Sequence, residues 1–170
     1  MTSYVALLRA VNVGGRKLAM ADLKAIAIEA GLDNVRTFIA SGNLLFSSGR
    51  SEGSVARLLE AELGKHMGAD VAVLVRTASE LAGVVKANPF PDEPGAKVAA
   101  FFLEKAPAKD ALGAVRGVED ERLALGQREI YVHFPNGMGR SKLKLKAQSE
   151  GTARNMNTVA KLAAMAKEFE

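Results

Sequence analysis

The residues best suited to bind a ligand lie near the C-terminal end of the sequence, between residues 152 and 158. Two asparagines, two threonines and an arginine stand there, directly before an apolar pattern at helical spacing: Thr152, Arg154, Asn155, Asn157 and Thr158. A helix N-terminus presents unpaired backbone N–H groups and a positive dipole end, and both favour an anion. Asn155 or Asn157 is expected to cap the helix, and the other polar groups exceed that need. We therefore predict an anion-binding site centred on Arg154, Asn155 and Asn157.

A second polar segment, residues 136–142 (NGMGRSK), has the composition of a loop that cradles phosphate. Its glycines allow backbone N–H groups to converge, while Arg140, Ser141 and Lys142 supply charge and a hydroxyl ahead of a short predicted helix. The G-x-x-x-x-G-K-[ST] spacing of a P-loop is absent from this segment. A plain glycine-rich turn is the alternative interpretation.

Two further segments place polar residues within or beside predicted strands. Arg9 interrupts an apolar strand, so its guanidinium must be paired or face a polar cleft. Asn12 follows in a glycine-rich loop that lacks the three-glycine spacing of a dinucleotide fingerprint. Ser41 and Asn43 flank Gly42 between two strands, where a hairpin turn is the simpler interpretation. We include Arg9, Asn12, Ser41 and Asn43 in the predicted ligand site.

The sequence assigns no catalytic residue. Ser41 lacks a G-x-S-x-G elbow and a paired base. His133 lies on the polar side of a predicted strand, as either a general base or an ordinary surface or sheet histidine. The chain has no cysteine, which excludes disulfides and thiolate chemistry, and its two histidines are too few for a zinc site unless carboxylates contribute. We predict neither a metal site nor a cofactor.

The charge of the chain favours an acidic ligand. The formal net charge is +4 and the pI is about 9.4. Between Arg140 and Lys161 six basic residues accompany one acidic residue, Glu150, and such a field favours phosphates or nucleic acid. Solvated surface lysines are the alternative. No apolar run is long enough for a membrane span and the N-terminus does not resemble a signal peptide, so we expect a cytoplasmic protein with no membrane contact.

Hydrophobic periodicity predicts the order β-α-β-β-α-β in the first half of the chain. This order is typical of the ferredoxin-like fold, an antiparallel sheet with two helices on one face. A predicted capping box, Thr77 with Glu80, starts a third helix. The predicted boundaries are strands at 4–13, 35–39, 44–46 and 71–75, a helix from Met20 to a stop at Gly31, and a helix capped by Ser51 or Ser54 and ended by Gly68.

The second half repeats this pattern after a proline-rich linker. Three of the five prolines fall within residues 89–96, where neither a helix nor a central strand can continue. We predict an α+β protein of two tandem ferredoxin-like (βαββαβ) halves with antiparallel sheets, residues 1–88 and 97–170. The predicted elements of the second half are strands at 98–103, 122–125 and 130–134, a helix from Pro107 through Leu112 and Val115, a short helix, an extended piece at Thr152–Ala153, and a final helix.

Four motifs together resemble those of the bacterial DUF1697 family, a domain of unknown function. They are residues 7–15 (LLRAVNVGG), 37–43 (TFIASGN), 135–142 (PNGMGRSK) and 152–158 (TARNMNT). The resemblance extends over nearly the whole chain, although Ala10 replaces a common glycine and Met156 a common aromatic residue. It implies an α+β fold of two ferredoxin-like halves, and it implies no established activity, cofactor or catalytic residue.

These features support three classes of function. The first is a module that binds a phosphate-bearing small molecule, such as a nucleotide, or nucleic acid. Base stacking in the manner of ferredoxin-like RNA binders is not favoured, because the first strand has only Tyr4 and the third only Phe46. The second is an enzyme acting on a small anionic metabolite, and the third is a non-catalytic structural or oligomeric scaffold.

Overall fold

The computed structural model describes residues 1–13 and 15–169. Gly14, part of the first family motif, lies outside the described residues. The described chain is a mixed α+β protein with two four-stranded antiparallel sheets and five α-helices. In chain order the elements are β1 (Thr2–Leu8), α1 (Met20–Glu29), β2 (Asp33–Thr37), β3 (Asn43–Ser48), α2 (Glu52–Met67), β4 (Val73–Thr77), α3 (Ala78–Lys86), β5 (Val98–Phe102), β6 (Arg122–Leu125), β7 (Glu129–His133), α4 (Ala147–Glu150), β8 (Thr152–Asn155) and α5 (Met156–Lys167).

The chain separates into two compact units by its internal contacts. The first unit contains Met1–Ala82 together with Leu162–Glu170, and the second contains Gly83–Lys161. The boundaries fall inside α3 and inside α5. Among the described residues, no helix combines the length and the apolar character that a membrane crossing requires.

The sheet of the first unit has the strand order β2-β3-β1-β4. Strand β1 is central and pairs with β3 and β4, for example Tyr4 with Phe46 and with Thr77. Alternate residues of a strand share one face, so Tyr4, Ala6 and Leu8 all join the core. Helices α1 and α2 cover this face with five fully buried side chains: Leu23, Ala27, Val55, Leu59 and Leu63. Burial of each leucine stabilises the fold by about 1.5–3 kcal/mol.

The helix signals in the first unit confirm several predictions. The Ser51 hydroxyl accepts a hydrogen bond from the Ser54 N–H (3.3 Å), which caps α2. Gly68 ends α2 in the left-handed conformation at φ 66°. Thr77 and Glu80 form the predicted capping box at the start of α3: the Thr77 N–H donates to Glu80 Oε1 (3.0 Å), and the Glu80 N–H donates to Thr77 Oγ1 (3.1 Å).

Several strand boundaries in the first unit were predicted wrongly. β1 was predicted to reach Val13, yet it ends at Leu8 because Ala10 and Asn12 both take φ 57°, which a strand cannot accommodate. β2 was predicted to reach Ile39, yet it ends at Thr37, before Ile39 turns to φ 52°. β4 begins at Val73 and not at residue 71.

The sheet of the second unit has the corresponding strand order, β6-β7-β5-β8. The predicted extended piece before the last helix is confirmed and extends to Asn155. It forms β8, where Arg154 pairs with Ala100 of the central strand β5. One sheet face carries alternate residues of β7, as predicted, and these pack with later loop residues in one core: Ile130, Val132, Phe134, Leu143 and Leu145.

The prediction of a helix from Pro107 through Val115 is wrong. Only one 3-10 turn, Ala111–Ala114, forms there. Arg116 is instead drawn into an isolated antiparallel bridge with Lys144, in which the Arg116 N–H donates to the Lys144 carbonyl (3.1 Å) and the reverse bond is 2.7 Å. Gly113 lowers the helix propensity of the segment, so this distant backbone pairing prevails.

Candidate functional site

Two loops of the first unit converge where β1 ends and β3 begins. We define the loop platform as the described residues of 9–17 together with residues 38–42. The Asn12 amide joins the two loops, since its Nδ2 donates to the carbonyls of Leu18 (3.0 Å) and Ala40 (2.6 Å). Its Oδ1 accepts from the Leu18 N–H (2.8 Å). The first two family motifs therefore meet in space, and Asn12 positions them.

Three residues of the loop platform have strained backbones. Ala10 and Asn12 have φ 57° and Ile39 has φ 52°. Left-handed φ costs a residue other than glycine about 1–3 kcal/mol, and this conformation is least expected for a β-branched residue such as Ile39. The Ile39 side chain is 48% exposed, so burial does little to offset its strain. Strain that stability does not require is typical of functional loops.

Asn43 and Gly42 hold the second loop in place. Asn43 is fully buried, and its Nδ2 donates to the Phe38 carbonyl (2.9 Å) and to Ser41 Oγ (3.0 Å). Gly42 has φ 88°, and a Cβ there would lie 2.6 Å from Val11 Cγ2. No larger residue fits this position without displacing the first loop. Asn43 is therefore a positioning residue that holds the second loop, whereas Ser41 is exposed at the loop surface.

The charge of the loop platform is positive. Arg9, Arg16 and Lys17 are its ionisable residues, and the loop sequence contains no acidic residue. Arg9 was predicted inside a strand, but it lies one residue beyond β1, with its N–H donating to the Ala72 carbonyl (3.0 Å). Arg9 is half-buried and Lys17 is exposed. The Arg16 guanidinium donates to the Asp70 carbonyl (2.6 Å).

In the second unit, Arg154 is a buried cation on β8. It is 7% exposed, and its Nη1 donates to Thr152 Oγ1 (2.7 Å) and to the Ala153 carbonyl (2.9 Å). Burial lowers the pKa of its guanidinium to about 10, because the charged form loses solvation. The group therefore remains charged at neutral pH, and Thr152 is already one of its partners.

The polar residues that follow Arg154 have separate roles. Asn155 is the helix cap, as one of the two predicted alternatives, since its Oδ1 accepts from the Thr158 N–H (2.9 Å). Asn157 is exposed and lies so close to Gly95 that a Cβ at that glycine would overlap the amide. Capping thus accounts for Asn155 and Thr158, while the Asn157 side chain packs on the backbone ahead of β5.

The predicted phosphate-cradling loop is held by short-range contacts and by the Asn136 amide, which donates to the Asp120 carboxylate. Ser141 Oγ accepts from the Leu143 N–H (3.1 Å). Arg140 and Lys142 are exposed. A cavity of only about 30 Å³ lies beside Arg140 and Ser141, and three carboxylates share its lining: Glu119, Asp120 and Glu121. These carboxylates make the local charge mixed, which favours an anion less than the sequence alone suggests.

His133 belongs to a polar cluster that the sequence did not reveal. It is 5% exposed, so it is a buried sheet histidine and not a surface one. Its Nε2 lies 3.4 Å from Glu93 Oε2, and its Nδ1 lies 3.2 Å from Nη2 of Arg122. Arg122 also pairs with Glu93 (3.0 Å) and stacks on Phe90 at 4.9 Å from the ring centre. These contacts fasten the proline-rich segment to β6 and β7.

Two antiparallel sheets and a strained, basic loop platform define a mixed α+β protein with a candidate ligand-binding surface. The chain belongs to the DUF1697 family, described as a protein of unknown function, whose match covers residues 1–131. That match includes the first two motifs and ends before residues 135–142 and 152–158, so it is shorter than the resemblance suggested. No curated protein matches the chain.

A solved structure shares the fold over the full length of the chain. It is the conserved bacterial protein SP0830 from Streptococcus pneumoniae, with a TM-score of 0.82 and 24% sequence identity. The alignment covers 98% of this chain and 99% of that one. At this identity the likeness concerns the fold alone.

Proposed function

We propose that the protein binds a phosphate-bearing or other anionic ligand, such as a nucleotide or nucleic acid, at the loop platform of the first unit. The observation that carries the proposal is the left-handed, exposed Ile39 in a loop fastened to the basic first loop by Asn12. Arg9 and Lys17 supply positive charge, and Ser41 supplies a hydroxyl. Asn12 and Asn43 position the two loops.

The test is a titration of the purified protein, by calorimetry, with inorganic phosphate, pyrophosphate, a nucleoside triphosphate and a short single-stranded oligonucleotide. Lys17→Gln should weaken binding about fivefold, equivalent to about 1 kcal/mol for an exposed charge pair. For the oligonucleotide it should also reduce the slope of log affinity against log salt by about one. The matched control is Lys24→Gln, which removes the same charge from an exposed position of α1.

Ile39→Gly separates a ligand site from a passive turn. Glycine accepts the left-handed conformation, so the variant should keep its stability or gain about 1 kcal/mol while it loses ligand affinity. Unchanged affinity in both Lys17→Gln and Ile39→Gly, or the absence of binding by all four probes, would refute the proposal.

A scaffold role is the second candidate, and the amides of Asn12 and Asn43 favour it because both are engaged with backbone or loop groups. In that case Asn12→Ala destabilises the protein and no probe binds. An enzyme acting on a small anionic metabolite is a further candidate, in which Arg9, Arg140, Lys142 and Arg154 clamp the anion and no catalytic residue is assigned. Arg140, Ser141, Lys142, Thr152, Arg154, Asn155, Asn157 and Thr158 remain predicted, untested contacts in the second unit.

We also propose that both units are ferredoxin-like. The support is the shared strand order, in which the third and fourth strands of each set flank the first. The division into residues 1–88, a linker and 97–170 likewise remains a proposal. Expressing residues 1–88 and 89–170 separately, with circular dichroism as the measure of folding, tests whether each half is autonomous.

A further inference from the structure

The two sheets have the same strand order but unequal helical cover. In the first unit the first and third connections carry α1 and α2, of ten and sixteen residues. In the second unit the first connection carries the 3-10 turn Ala111–Ala114, of four residues. The third carries the 3-10 turn Met138–Arg140 and α4, of three and four residues. Short covering elements bury less of a sheet face, and an open apolar space remains beside the core of this unit.

That space is a cleft of about 670 Å³ in the second unit. Its inner surface is apolar and belongs to the core, with Leu103, Ile130 and Leu145 each no more than 8% exposed. One wall is formed by Ala106, Pro107, Ala108, Asp110 and Ala111. The volume is within the range of about 300–1,000 Å³ that is usual for small-molecule sites.

A basic recess adjoins the cleft. It has a volume of about 350 Å³, and Arg116, Lys144 and Lys146 line it without any carboxylate. The cleft and the recess share Ala114, Leu145 and Lys146, so they are adjacent. The Arg116–Lys144 backbone bridge holds two of these cations side by side.

Three carboxylates line the cleft and none lines the recess: Glu104, Asp110 and Glu150, beside the cleft's own lysines, Lys105 and Lys146. Glu150 Oε1 lies 3.3 Å from Lys146 Nζ, and this exposed pair uses one of the three N–H groups of the ammonium. The unequal distribution of charge orients a ligand, since an anionic group is favoured in the recess and disfavoured near the three carboxylates.

We propose that the second unit binds an amphiphilic carboxylate, whose apolar chain occupies the cleft and whose anionic head group contacts Arg116, Lys144 and Lys146. This site is separate from the loop platform and does not depend on the function proposed there. Apolar walls provide affinity through burial, and the cations provide selection for an anion.

The experiment is a calorimetric titration of the full chain with butanoate, hexanoate and octanoate, and with octanol as the uncharged probe. Each added methylene should raise affinity about fourfold, because its burial contributes about 0.8 kcal/mol. Octanol should bind at least tenfold more weakly than octanoate. Inorganic phosphate is titrated in parallel, since its binding reports on an anion site without an apolar component.

Two exposed substitutions and two matched controls localise the binding. Ala108→Trp fills the cleft and should abolish the dependence on chain length, whereas Ala160→Trp, on an exposed position of α5, should preserve it. Lys144→Gln removes a cation from the recess. It should weaken the binding of octanoate at least threefold and leave the binding of octanol unchanged. Lys161→Gln is the charge-matched control.

Affinity that is independent of chain length, equal binding of octanol and octanoate, or binding that Ala108→Trp leaves intact would overturn the proposal. The absence of carboxylate binding would overturn it as well. Phosphate binding that is sensitive to Lys17→Gln supports the ligand site at the loop platform, whether or not the carboxylates bind. The two proposals can therefore be refuted independently.

Discussion

The buried phenol of Tyr131 offers the sharpest physical test of the second unit. Tyr131 lies on β7, it is 2% exposed, and its hydroxyl donates to the Val84 carbonyl at 2.8 Å. Burial and, to a smaller extent, the charge of Glu129 raise its pKa from 10.0 to about 12. Both effects disfavour the phenolate, and the hydrogen bond retains the proton.

The raised pKa has a defined consequence for stability. Below pH 10 the folded and unfolded chains both hold the proton, so this stabilisation is fully present. As the pH rises from 10 to about 12, the unfolded chain releases the proton while the folded chain still holds it, and the stabilisation is lost. A shift of about two units corresponds to at most about 3 kcal/mol.

The titration of Arg154 changes the stability in the opposite direction over the same pH range. Its pKa is lowered to about 10 by burial, so its contribution to stability increases as the pH rises from about 10 towards the ordinary pKa of an arginine. The effect of Tyr131 must therefore be taken as the difference between the wild type and Tyr131→Phe, in which the Arg154 contribution cancels.

Two measurements test this reasoning. In a Tyr4→Phe background Tyr131 is the sole tyrosine of a chain without tryptophan, so ultraviolet absorbance reports its phenolate directly. We expect a midpoint near pH 12. Urea unfolding should show Tyr131→Phe less stable by about 1 kcal/mol at neutral pH, with this deficit shrinking or reversing above pH 10. A phenolate midpoint near 10, with circular dichroism unchanged, would refute the assigned burial and hydrogen bond.

Three further predictions concern stability and are checked by urea unfolding. Gly151→Ala should cost more than 2 kcal/mol, because a Cβ there would overlap the Phe102 carbonyl of β5, and a cost below 0.5 kcal/mol would contradict this packing. Thr77→Val and Glu80→Ala should each cost about 1 kcal/mol, and full additivity in the double variant would argue against a reciprocal capping box. Ser3→Ala removes a buried 2.7 Å bond to a carbonyl of α5 and should cost about 1 kcal/mol, whereas Ser51→Ala, at an exposed cap, should cost no more than that.

Local signals predicted the helices of the first unit well. A hydroxyl or carboxylate acceptor within the first turn favours a helix start, and Ser51, Thr77 and Glu80 provide one from neighbouring positions. Gly68 ends α2 because glycine accepts a left-handed backbone without steric cost. Such signals involve residues a few positions apart, so the sequence alone is sufficient to locate them.

Local signals failed where distant backbone decided the conformation. The segment after Pro107 has helical spacing, but the bridge between Arg116 and Lys144 draws it away from a helix. The end of β1 was misplaced because Ala10 and Asn12 have left-handed φ, a conformation that neither residue type favours strongly by itself. Their conformation accompanies the bond from Asn12 to a carbonyl 28 residues later.

The sequence by itself determined the family, the α+β class, the helix caps and the residue types of the candidate site. Only the tertiary structure decided that Asn12 and Asn43 position loops, that His133 is buried beside Glu93, and that Arg116 lies beside Lys144. The reason is that sequence patterns report on residues that are close together in the chain. Burial, pairing and the charge of a cleft depend on residues that are distant in sequence and meet only in the folded protein.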